Sequence, residues 1–168
     1  GVRIERVSGN LTDHFDPRTN VIRLSESVYD SATVAAVGVA AHEAGHAVQH
    51  AQDYLPNKIR SAIVPVANIG SKLSWILIFV GFLLPVQYNF VITLGIVFFS
   101  FSVLFTLITL PVEFDASKRA LATIRNSNLL YEDEYIGAKK TLSAAAMTYV
   151  AAAATAVAQL LRLLLLAS

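Results

Sequence analysis

The chain has 168 residues, a formal net charge of +1 and no cysteine. That is one ordinary domain in length. Without cysteine there can be no thiolate metal site, disulfide framework or cysteine nucleophile, and the near-neutral charge favours no nucleic-acid partner. Hydrophobic residues make up 55% of the chain, a share that points to membrane segments.

The chain opens on Gly1-Val2-Arg3-Ile4-Glu5-Arg6. With no initiator methionine and no cleavable signal pattern, it reads as a piece of a longer protein. Residues 2–25 are polar and turn-rich. Residues 11–15 and 20–24 can be extended, and Asp16-Pro17-Arg18-Thr19 between them is a turn with proline at its second position. The spacing predicts a β-hairpin. Its second strand could hold an extended substrate by edge pairing, or the hairpin could simply cover the next helix.

Ser25 can cap a short turn of helix over 26–29, and Asp30 or Ser31 a long helix over about 31–53. Within that helix, Ala41-His42-Glu43-Ala44-Gly45-His46 contains the pattern H-E-x-x-H. Residues four apart share a helical face, so His42 and His46 can aim two imidazole nitrogens at one ion. Glu43 stands beside that ion. Two neutral nitrogen ligands with an adjacent carboxylate that takes a proton from water are what a zinc peptidase needs. The flanks, residues 37–41 and Ala47-Val48, are small and apolar, so the motif is expected to be buried, and buried histidines need partners. Gly45 lets another backbone approach closely. The helix turns polar at 49–53 and ends at Tyr54-Leu55-Pro56.

From Leu73 to Val112 there is no charged side chain. About 40 helical residues extend about 60 Å, twice a hydrocarbon core of about 30 Å. Two spans are therefore predicted, over about 71–84 and 90–110, bending at Pro85-Val86-Gln87-Tyr88-Asn89. The return of this hairpin brings Glu113 back to the level of the histidine helix and makes it the candidate third ligand. Asp115 is the reserve, since two residues two apart cannot both face the metal from one helix. Residues 118–140 form a charged stretch broken at Asn126-Ser127-Asn128, with a new helix start at Glu132-Asp133-Glu134. Residues 141–166 form a third apolar segment whose alanines allow close helix approach, with Arg162 placed to snorkel. Lys58, Arg60 and Lys72 precede the hairpin, and Lys118, Arg119, Arg125, Lys139 and Lys140 follow it, whereas its tip is uncharged. The positive-inside rule then sets the metal side in the cytoplasm.

The runs 11–20, 37–51 and 111–117 together resemble the bacterial neutral zinc metallopeptidase family of YugP-like membrane proteases. More distantly the chain is similar to HtpX-type and CAAX-prenyl membrane endopeptidases. The resemblance implies one further span before the hairpin in full-length members, His42, His46 and Glu113 as ligands of one zinc ion, and Glu43 as general base. Ser117 stands where those distant relatives carry an aspartate in E-x-x-x-D.

The expected fold is a mainly α membrane protein. It has a zincin-like H-E-x-x-H helix with a small β-hairpin (1–60), a transmembrane helical hairpin (61–112), a third-ligand helix with a charged segment (113–140), and a C-terminal transmembrane helix (141–168), all in one integrated domain. The expected function is a gluzincin-like metalloendopeptidase of the bacterial plasma membrane, with the lipid bilayer and a polypeptide substrate as partners. A non-catalytic membrane scaffold retaining a zinc site, or a metal hydrolase of something other than peptides, are the rival readings. His14, His50 and Tyr149 are candidates for a second oxyanion donor.

Overall fold

The computed structural model describes residues 1–167. The chain divides into two compact units, residues 1–57 with 112–148, and residues 58–111 with 149–168. Three strands, β1 (Arg3–Val7), β2 (His14–Asp16) and β3 (Val21–Ser25), are followed by the short helix α1 (Glu26–Tyr29) and then α2 (Val34–Ala51). Three long helices complete the chain: α3 (Leu55–Leu83), α4 (Phe90–Asn126) and α5 (Glu132–Ala167). All three are long and apolar enough to cross a membrane.

In the first unit the predicted hairpin is present. β2 pairs antiparallel with β3, Phe15 opposite Ile22. Asp16 closes its turn by accepting from the Arg18 amide (3.0 Å), the Thr19 hydroxyl (2.7 Å) and the Arg23 guanidinium (2.9 Å). Those three donors hold its carboxyl far below the ordinary carboxylate range. A strand the sequence did not disclose, β1, pairs parallel with the other side of β3. The sheet order is therefore β1-β3-β2. The expectation that the second hairpin strand holds substrate along its edge is corrected here, because both edges of β3 are already paired. Its side chains agree, since Val21, Ile22, Leu24 and Ser25 are all buried, as befits a strand covered on both faces.

Thr33, rather than Asp30 or Ser31, caps α2, its hydroxyl accepting from the Ala36 amide at 3.3 Å. The helix turns two stripes to two partners. Ala40, Ala44 and Ala47 pack on Ile22, Leu24, Phe15 and Val28 of the sheet and α1. Gly38, His42, Gly45, His46 and Gln49 face α4 and α5. Both stripes follow the three-to-four-residue helical repeat. Asp53, with φ of 55°, ends the run.

In the second unit, Ile78 of α3, Ile92, Ile96, Phe99 and Val103 of α4, and Leu163 of α5 form a core joined by Ala156, Val157 and Leu160. A Cβ on Gly95 would lie 2.9 Å from the Ser74 carbonyl oxygen, so only glycine permits this approach of α3 and α4, the small-residue packing usual between membrane helices. Outward faces remain apolar, with Phe79, Phe82, Leu94 and Leu107 exposed.

Two boundaries differ from expectation. The span predicted to end near residue 110 continues through Pro111 into the third-ligand segment as one helix, and Pro65 likewise rides inside α3. Proline removes one intrahelical hydrogen bond, and apolar helices tolerate this where neighbouring groups re-satisfy the backbone. The charged start at Glu132 and the third apolar segment are likewise one helix.

Candidate metal centre

Three side chains from two helices converge in the first unit. His42 and His46 project from α2 one turn apart, and Glu113 projects from α4. His42 Nε2 lies 3.1 Å from Glu113 Oε2 and 3.1 Å from His46 Nε2, and His46 Nε2 lies 3.5 Å from the same oxygen. The two imidazole rings stand at 89° to each other. Ligand atoms about 2.1 Å from a tetrahedral zinc ion stand about 3.4 Å apart. The triangle of donors therefore matches one face of such a tetrahedron with little movement. Among the described residues these three make a group that could hold a metal ion. Its chemistry, two imidazoles and one carboxylate with no thiolate, suits a three-ligand zinc site.

Gly45 sets how closely the two helices can meet. A Cβ there would lie 2.6 Å from the Ala116 carbonyl oxygen and 3.2 Å from the Ala116 Cα. Any side chain would push α4 away from α2, and Glu113 with it.

Glu113 is 3% exposed, so its charge depends on cationic or polar company. That company includes His42 and His46. Burial pushes the His46 imidazole down, but the hydrogen bond and charge of Glu113 outweigh it and leave His46 raised above 6.5. Glu43, next on α2, is also buried. Burial pushes its carboxyl up, against the opposing pull of His46 and His42. Asp13, tied to the Ser25 amide (2.7 Å) and hydroxyl (3.0 Å), adds a further upward push. Glu43 makes no hydrogen bond to another described residue, so its carboxylate can bind water.

The remaining imidazole nitrogens are also held. His42 Nδ1 lies 3.1 Å from the Ser117 hydroxyl, and His46 Nδ1 lies 3.0 Å from Gln49 Oε1. Ser117 therefore contacts the candidate ligand His42. Asp115, the reserve ligand, is turned elsewhere: it accepts from Gln49 Nε2 (2.9 Å) and Arg119 Nε (2.5 Å). A hollow of about 660 Å³ between α4 and α5 is lined by Ser117, Phe114, Leu121 and Leu142. Among its lining residues, Ser117 is the one bonded to His42 Nδ1.

Of the proposed oxyanion donors, His14 is exposed and bonded through Nδ1 to the Thr12 carbonyl oxygen at 2.8 Å. His50 turns its ring to Phe15, centroids 5.7 Å apart. Tyr149 belongs to the other unit. Sequence reasoning missed Gln49 and Asp13. Gln49 had a signal: at about 100° per residue it lies about 20° from His42 around the helix, whereas His50 lies about 80° away. Asp13 had none, because only the tertiary fold brings a loop carboxylate to α2.

The sequence model of the family described as "Putative neutral zinc metallopeptidase" matches residues 1–168. The chain belongs to this family. A curated relative, "Putative membrane protease YugP" of Bacillus subtilis (strain 168), is 47% identical over 165 residues, 98% of this chain and 72% of the relative. No solved structure matches the chain significantly. In a member of this family, His42, His46 and Glu113 form the group that could hold the zinc ion for which the family is named.

Proposed function

We propose that the chain is a membrane-embedded zinc endopeptidase that hydrolyses peptide bonds of membrane or unfolded polypeptides. The observation that carries this reading is the donor triangle of His42, His46 and Glu113 with the unbonded carboxylate of Glu43 beside it. His42, His46 and Glu113 would hold one zinc ion. When bound, the ion supplies Lewis acidity, which acidifies water and polarises a carbonyl group. Glu43 takes a proton from the attacking water as its oxygen bonds to the peptide carbon. As the carbon–nitrogen bond breaks, Glu43 passes that proton to the departing amine. A carboxyl raised by burial suits both steps, since a base works best with its pKa near the working pH.

The free edge of β2 is the place for an extended substrate. It is an outer strand of the sheet, and Phe15 packs it onto the Ala40, Ala44 and Ala47 stripe of α2, the helix that also carries the motif. Backbone pairing there would hold many sequences alike. The basic residues flanking the apolar helices, set against an uncharged turn at 84–89, orient the metal centre to the cytoplasm of a bacterial plasma membrane.

The test uses purified protein in detergent, comparing wild type with Glu43→Gln and Glu113→Ala for zinc content and for cleavage of an unfolded polypeptide. Wild type should carry zinc and cleave. Glu43→Gln should keep zinc and lose cleavage, and Glu113→Ala should lose both. A zinc-loaded wild type whose slow cleavage is unchanged in Glu43→Gln would identify a scaffold that retains a metal site.

A further inference from the structure

We infer that Gln49 is the positioning residue that holds His46 in its Nδ1–H tautomer and ties both ligand-bearing helices into one frame. The inference rests on the metal-centre reading above and adds a role for a residue that touches no metal.

Gln49 is fully buried. Its amide nitrogen lies 2.8 Å from the Val112 carbonyl oxygen and 2.9 Å from Asp115 Oδ2. Both are acceptors, and neither can donate, so both N–H bonds of the carboxamide are used. Turning the group over would set its oxygen against two oxygens. The orientation is therefore dictated, and Oε1 faces His46 Nδ1 at 3.0 Å. An oxygen with no hydrogen can only accept, so Nδ1 must carry the proton. The Nε2 lone pair is then left for the metal. Ser117 imposes no such choice on His42, because a hydroxyl both donates and accepts.

The same carboxamide reaches the other ligand. Val112 immediately precedes Glu113, and Asp115 lies two residues beyond it, so Gln49 grips the turn of α4 that presents Glu113. Asp115 is itself fixed by Arg119 Nε (2.5 Å), and Arg119 Nη1 returns to Gln52 Oε1 on α2 (2.6 Å). A carboxylate at position 49 would accept from the imidazole but would face two oxygens with nothing to donate. An apolar residue would leave His46 Nδ1 without its acceptor and take away the donor that ties α2 to Val112 and Asp115. Among the acid, amide and apolar side chains of this size, only a carboxamide meets all three demands.

The experiment uses the full chain in detergent micelles, with zinc affinity measured by chelator competition and the imidazole tautomers read by ¹⁵N NMR of the zinc-free protein at alkaline pH. Gln49→Leu is expected to lower zinc affinity about 10–100-fold, the usual effect of losing such a partner. It should also release His46 into a mixture of tautomers while His42 is unchanged. Gln49→Glu should keep the Nδ1 proton but still bind zinc more weakly. Asp115→Asn alters a partly exposed position and guards against misfolding of the buried variants; it should shift both readouts in the same direction by less. Wild-type zinc affinity and an unmixed His46 tautomer in Gln49→Leu would overturn the inference. If wild type bound no zinc, the metal-centre reading would fail, while the tautomer of His46 would still decide the role of Gln49.

Discussion

Replacing Gly45 with alanine adds one methyl group at the closest approach of α2 and α4, and its effect can be worked from the structure. The new Cβ would sit 2.6 Å from the Ala116 carbonyl oxygen, and ordinary contact begins at 3.4 Å. The backbones must therefore separate by about 0.8 Å, while a metal site tolerates only about 0.2 Å in its ligand distances. Stability is moved by two opposing terms. Alanine is better than glycine in a helix by about 1 kcal/mol, and overpacking costs about 1–3 kcal/mol. The net loss is small beside a typical folding free energy of about 5–15 kcal/mol. The expected phenotype is a folded protein with a broken centre. Zinc affinity should drop by at least about 10-fold, and cleavage by about 100-fold, with a melting temperature in chelator close to wild type. Gly38→Ala is the control, because its Cβ would meet nothing nearer than 3.8 Å; it should bind zinc normally. Chelator competition and thermal melting in EDTA give both readouts. Wild-type zinc affinity in Gly45→Ala would refute the argument that this contact sets the centre.

Three further outcomes are expected. Glu43→Gln should lower the cleavage rate by at least about 10²–10⁴-fold, the usual contribution of a general base, with zinc content unchanged by metal analysis. Ser117→Ala should weaken zinc binding about 10-fold by leaving His42 Nδ1 unheld, as read by the same chelator competition; an unchanged affinity would remove Ser117 from the centre. The third concerns pH. In the zinc-free protein, His46 is raised above 6.5 and Glu43 above 4.5. Both groups bind protons more tightly folded than unfolded, so stability from His46 is complete below 6.5 and is lost as pH rises through its folded value, and the buried Glu43 carboxyl acts in the same sense from 4.5 upward. The melting temperature in chelator should therefore fall as pH rises past 6.5, while the increment given by zinc should grow as the ligands lose their protons. A zinc-free protein that gained stability over that range would contradict this assignment.

Much of the site could be read without coordinates because its information is periodic. His42, Glu43 and His46 lie within five residues of one helix, so 3.6 residues per turn places them without help from the rest of the chain. The uncharged run from Leu73 to Val112 likewise announces membrane-crossing helices from composition alone. Glu113 was reached by one further step, the return of a hairpin. The continuation of the second span through Pro111 was not reached, because a proline's local preference does not say whether the surrounding helix can continue through it.

What the amino-acid order by itself determined was which residues share a face and which segments avoid water, since both follow from spacing and polarity along a single element. Which elements touch was decided only by the tertiary structure. β1 occupies the far edge of β3 and so denies that strand to a substrate. Gln49 rather than His50 meets His46, and Ser117 and Asp115 stand behind the ligands instead of among them. The physical reason is that a hydrogen bond is short and directional. A partner 63 residues away, such as Val112 for Gln49, is chosen by how closely two helices pack, and here that distance rests on the missing side chain of Gly45.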